Sequence, residues 1–113
     1  TGERDYHPAI DISTRSGQPV YATATGRVTE ASRNGDYGKL IQIAHGFGLV
    51  TRYGHLADYA VEVGDTVQRG DIIGYVGSTG RATGSHVHYE VLVNGRTINP
   101  LRLLPDSDAV SAN

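Results

Sequence analysis

The chain has 113 residues, a formal net charge of -2, five histidines, and no cysteine or methionine. That length makes one domain, able to bury a core without disulfide staples, and the missing cysteine excludes disulfides and thiolate zinc sites. The ten Lys and Arg are scattered with no basic surplus for a phosphate backbone, which argues against nucleic acid, and no apolar run approaches the ~20 residues of a membrane helix. Methionine is missing even at position 1, so the chain reads as a processed protein or part of a longer one.

In chain order, the first stretch of interest is His7-Pro8-Ala9-Ile10-Asp11. If it were extended, His7 and Asp11 would stand about 13 Å apart, too far to share one ion, so a shared role requires a bend. Pro8 pushes His7 out of the helical region and favours a turn there. Taken alone, a histidine with an aspartate four residues later is a weak metal signal.

Glycine, 15 of 113 residues, then punctuates short β-branched and aromatic runs, the pattern of strands joined by tight turns. The expected strands are Pro19 to Ala24, Gly26 to Ser32, Lys39 to His45, Gly48 to His55, Ile72 to Val76 and His86 to Val93. Asn94-Gly95 followed by Arg96-Thr97-Ile98 predicts a two-residue hairpin with positive φ at both turn positions. No stretch sustains a helical period, so the domain is expected to be mainly β. Val63 to Asp71 has the turn-rich look of a lipoyl or biotinyl carrier, but the sole lysine, Lys39, lies elsewhere. Pro105 to Asn113 is polar and terminal and is expected to be a frayed tail, leaving 1–104 as the domain.

The most informative stretch is Gly84-Ser85-His86-Val87-His88-Tyr89-Glu90-Val91. On a strand, His86, His88, Glu90 and Leu92 share one face, while Val87, Tyr89, Val91 and Val93 share the other, which is expected to be core. The two Cβ atoms stand about 6.6 Å apart, which suits one metal ligand plus a group in reach of the metal's water, with direct ligation by both the alternative. A catalytic zinc takes three neutral-imidazole or carboxylate ligands and keeps a fourth position open. His7, Asp11 and His88 could supply that set; a merely polar strand face is the competing reading. His88-Tyr89-Glu90 also matches the His-x-Glu of zinc deaminases, whose Cys-x-x-Cys partner is missing here.

Together the segments HPAID, GQPVYATATGRV, YGKLIQIAHGFGLVTRYGHL, VGDTVQRGDIIGYVGSTG, TGSHVHYEV and the closing Asn99-Pro100 resemble, in order, the M23 zinc metallopeptidases of lysostaphin or LytM type. The resemblance runs from His7 to about Leu104. It implies a small antiparallel β-sheet domain with a long substrate cleft, and one Zn2+ held by His7, Asp11 and His88. His55 and His86 would be the catalytic pair, and His45 a structural histidine. It further implies cleavage of peptide bonds in peptidoglycan cross-links, in the periplasm or outside the cell, by a domain of a larger chain. The alternative within the resemblance is a non-catalytic module that binds cell wall or activates a partner amidase, though such modules usually lack ligands that are all present here. Ala9 stands where the family usually has glycine, Ser85 where proline is frequent, and Tyr89 where Phe is usual. The family's Phe-Gly-x-Arg stretch ahead of the first ligand is largely missing. Loops Arg33 to Tyr37 and Ser78 to Ser85 are expected to line the cleft. Glu90 is a candidate for orienting an imidazole, against the commoner reading of a surface carboxylate.

Overall fold

The computed structural model describes the backbone course of residues 9–13, and residues 15–78 and 85–98 in full. Among the described residues nine strands form one curled sheet: β1 (Ala9–Ser13), β2 (Pro19–Tyr21), β3 (Gly26–Arg33), β4 (Lys39–Gly46), β5 (Leu49–Tyr59), β6 (Thr66–Val67), β7 (Ile72–Val76), β8 (His86–Val93) and β9 (Arg96–Ile98). The main path runs β1-β8-β5-β4-β3-β6, and every pairing is antiparallel. A single turn of 3-10 helix, Gly35–Tyr37, joins β3 to β4. Among the described residues no helix is long and apolar enough to cross a membrane.

The expected strands are all found, with instructive differences at their ends. β7 and β8 match residue for residue. β2 stops at Tyr21, where its register against β7 shifts. β5 runs on to Tyr59 because β7 offers it a second partner beyond Gly54. Two strands were not foreseen. β6 is only Thr66–Val67 and exists by pairing with Gly26 and Arg27. β1 covers Ala9 to Asp11, part of the stretch expected to bend, and it is extended because β8 pairs with it. The rest of that stretch, His7 and Pro8, lies outside the described residues. The expected tail, 105–113, and loop residues 79–84 also lie outside them.

Ile41, Ile43, Tyr53, Leu56, Ile73 and Val76 point into one core, each at most 1% exposed; Ile41 and Ile43 follow simple alternation along β4, whereas Leu56 departs from it along β5. Val87 and Val91 on β8 are buried as well, as strand parity predicts for their face. The opposite face of β4, β5 and β8 is left to carry chemistry.

Both two-residue hairpins have positive φ at both turn positions: Asn94 (52°) and Gly95 (84°), and Phe47 (55°) and Gly48 (78°). Asn-Gly suits such a turn; Phe does not, because a left-handed residue with a bulky side chain is strained by roughly 1–2 kcal/mol. Phe47 is also fully exposed, so its ring recovers nothing by packing. Phe47→Asn is therefore expected to stabilise the domain by about 1 kcal/mol, seen as a higher midpoint in urea unfolding with an unchanged slope.

Candidate active site

The site forms where β5 changes neighbours. From Leu49 to Gly54 it pairs with β8, and from Leu56 onward with β7. Gly77, just past β7, bridges to His86 at the start of β8. His55 stands at the changeover. On the other side of β5, Lys39 pairs with Leu56 and Ile41 with Tyr53, so the single residue Leu40 faces the two residues Gly54 and His55. This is a β-bulge, which bends a strand and re-aims a side chain.

The bulge decides where the histidine points. Strict alternation from Tyr53 would send residue 55 into the core. Instead His55 has φ of 63°, and Leu56 takes the core position at 0% exposure. The His55 ring turns to the opposite face, centred 5.0 Å from the His86 ring and 5.6 Å from the His88 ring, edge-on to both. A left-handed non-glycine residue costs on the order of 1–3 kcal/mol, and such strain clusters at functional sites.

His88 is held from behind. Glu90, on the same face of β8, is only 1% exposed and its Oε2 lies 2.9 Å from His88 Nε2. Tyr37 Oη donates to Glu90 Oε1 at 2.8 Å, Arg52 Nη1 stands 3.5 Å from that oxygen and donates to Tyr37 Oη at 3.1 Å, and Arg52 Nε donates to Gln42 Oε1 at 2.7 Å. Burial alone would raise the Glu90 pKa; the hydrogen bonds from His88 and Tyr37 and the charge of Arg52 outweigh it and hold the carboxyl below its ordinary range. Glu90 is thus an ionised acceptor, which requires the proton of that ring to sit on His88 Nε2. Burial first, and then Glu90, push the Tyr37 phenol up, so it stays a neutral donor. The surface-carboxylate reading of Glu90 is overturned, because the Arg52↔Glu90 and Gly54↔His88 register covers it with neighbours.

Gly54 makes room for this arrangement. A Cβ at residue 54 would lie 3.3 Å from both Tyr37 Cδ1 and the Tyr37 carbonyl oxygen, a tight fit, and 3.5 Å from His88 Cβ, an ordinary contact. The Tyr37 and His88 rings meet edge to face with centroids 5.8 Å apart. The loop expected to line the cleft, Arg33 to Tyr37, does reach the histidines through Tyr37.

Of the five residues expected at the site, His55, His86 and His88 come together. Asp11 is the direct cross-strand partner of His88 in the backbone register. Its side chain, and all of His7, lie outside what is described. Among the described residues no group of three His, Asp or Glu is disposed to hold a metal. The donor chemistry present nonetheless fits zinc: an imidazole whose second nitrogen donates to a buried carboxylate is the usual support of a metal-bound histidine. His45 is elsewhere, joining β4 to the segment before β3 with Nδ1 2.8 Å from the Thr25 carbonyl and to β5 with Nε2 2.7 Å from Thr51 Oγ1.

The sequence pattern of peptidase family M23 matches residues 5–100. The chain belongs to peptidase family M23. This M23 domain is 42% identical over 108 residues to the DD-carboxypeptidase/endopeptidase Mpg of Neisseria meningitidis, covering 95% of this chain and 25% of that protein. It is 38% identical over 112 residues to the peptidoglycan DD-endopeptidase ShyC of Vibrio cholerae, covering 98% of this chain and 26% of that one. It therefore spans about a quarter of the length of these relatives. Among solved structures it matches the catalytic domain of lysostaphin from Staphylococcus simulans with a TM-score of 0.81 at 34% identity, covering 85% of this chain and 77% of that one. A zinc-containing peptidase from Vibrio cholerae matches with a TM-score of 0.78 at 40% identity, over 81% of this chain and 28% of that one. The antiparallel M23 fold expected from the sequence is thus the fold observed.

Sequence reasoning missed Tyr37, Arg52 and Gln42. Arg52 carried a usable signal, since it shares strand parity with Gly54, next to His55. Tyr37 was placed only as the end of a cleft-lining loop, and its contact with Glu90 carried no signal: that reach spans 53 positions of chain and depends on the 3-10 turn.

Proposed function

We propose that this M23 domain is a zinc-dependent endopeptidase that hydrolyses peptide bonds in peptidoglycan cross-links, acting in the periplasm or outside the cell as part of a longer chain. The observation that carries the reading is the histidine cluster in which the His55 ring meets both His86 and His88, with Asp11 opposite His88 in register. A strained bulge that turns a histidine out of the core toward two others is poorly explained by stability and well explained by catalysis.

His7, Asp11 and His88 would hold one zinc ion. When bound, zinc supplies a Lewis acid for the scissile carbonyl and a water whose pKa falls from about 15.7 toward ~7. His86 then takes the proton of the attacking water and returns it to the leaving amine. His55, 7% exposed and edge-on to His86, donates a hydrogen bond to the oxyanion, and its bulge fixes the direction of that donor. The two histidines can exchange these roles, since their rings lie against each other with centroids 5.0 Å apart. Filled ligand positions and a formed histidine cluster favour this reading over a non-catalytic wall-binding module.

The test is incubation of the zinc-loaded protein with intact peptidoglycan of two kinds, one with direct stem-peptide cross-links and one with glycine-rich bridges, with fragments identified by mass spectrometry. Cross-link cleavage in one of them is expected. A chelator should abolish every product and added zinc should restore them. Products that persist after complete removal of metal would overturn the proposal.

A further inference from the structure

We infer that Glu90, Tyr37 and Arg52 form a one-directional donor relay that fixes the His88 imidazole with its proton on Nε2 and so presents Nδ1 as the nitrogen that binds metal. The inference rests on the proposed role of His88 as a ligand and adds three positioning residues to it.

The geometry has a single consistent direction. Arg52 Nη1 has only protons to offer and donates to Tyr37 Oη at 3.1 Å; Tyr37 in turn donates to Glu90 Oε1 at 2.8 Å. From the opposite side His88 Nε2 meets Glu90 Oε2 at 2.9 Å. All these donors end on one carboxylate that is 1% exposed, so water does not substitute for any of them. Arg52 is itself held by Gln42 Oε1 at 2.7 Å, on β4, so the relay is anchored two strands away from His88. The Tyr37 ring adds a lateral constraint by meeting the His88 ring at 67°.

The carboxylate cannot be replaced by its amide without reversing this order. In Glu90→Gln only one atom of the group accepts. Arg52 and Tyr37 present donors on one side, so the amide oxygen settles there and the amide nitrogen faces His88 Nε2. The amide nitrogen only donates, so His88 Nε2 must accept, and the imidazole proton moves to Nδ1, the atom a metal needs bare. Tyr37→Phe removes one donor and leaves Glu90 an acceptor on both sides, so its effect has the same direction and a smaller size.

Two measurements test this. Long-range proton–nitrogen NMR on the metal-free protein reads the His88 tautomer directly: Nε2–H is expected in the parent and Nδ1–H in Glu90→Gln. Zinc affinity, read by competition with a chromophoric chelator, is expected to fall about 10- to 100-fold in Glu90→Gln and by less in Tyr37→Phe. Circular dichroism and thermal unfolding of the metal-free variants establish that they are folded; should Glu90→Gln fail to fold, Tyr37→Phe carries the affinity test. Unchanged zinc affinity in the folded variants, with His88→Ala losing zinc, would overturn the relay alone. Full zinc affinity in His88→Ala would overturn the ligand reading beneath it.

Discussion

Replacing His88 with alanine is expected to abolish zinc binding and peptidoglycan hydrolysis together, whereas His86→Ala and His55→Ala should keep stoichiometric zinc and lose turnover by about 10²- to 10⁴-fold. The difference follows from position. His88 pairs with Gly54 on one side and Asp11 on the other, and it alone of the three rings is backed by the buried Glu90 carboxylate, the support a metal-bound imidazole requires. His86 sits at the strand's entrance, where its amide bonds to the Gly77 carbonyl at 3.3 Å. His55 is on another strand and meets both rings edge-on. A group that moves a proton or steadies an oxyanion can be removed without emptying a metal site. Elemental analysis and fragment release on the same preparations separate the two classes, and full activity in His86→Ala would rule out its catalytic role.

Leu56→Ala is expected to destabilise the domain by about 2–5 kcal/mol, lowering the unfolding midpoint by roughly 8 to 20 °C. Leu56 is 0% exposed and lies between Lys39 of β4 and Val76 of β7, immediately after the bulge. Truncating it leaves a cavity on the core side of the segment that holds His55. The expected signature is a lower calorimetric midpoint, with activity at low temperature reduced far less than in His55→Ala. An unchanged midpoint would show that the bulge does not depend on this packing. A midpoint shift with complete loss of low-temperature activity would show that core packing itself fixes the His55 orientation.

Much of the fold was legible because its cues are local. β-branched runs bounded by glycine gave the strands, and Asn94-Gly95 gave a hairpin whose positive φ angles are those observed. The face assignment on β8 followed from alternation alone. The unforeseen pieces share a physical cause. β6 is two residues long, and β1 begins in a stretch whose proline suggested a turn; each is a strand only because a distant strand supplies its hydrogen bonds. Local propensity carries no information about such partners.

At the site the division is sharper. The sequence by itself determined the inventory: histidines at alternate positions on one strand, a third in Tyr-Gly-His-Leu, an aspartate four residues past another histidine, no cysteine to compete, and an order of segments shared with the M23 peptidases. Only the tertiary structure decided how they combine. Alternation along β5 would have buried His55 beside Tyr53, and a bulge opposite Leu40, formed where β5 exchanges β8 for β7, turned it to the other face. Glu90, which by composition alone belonged at the surface, became a buried acceptor because Arg52 and Tyr37 arrive from other elements to satisfy it. A bulge and a buried carboxylate both depend on what stands across the sheet, and that is settled by pairing between segments far apart in the chain.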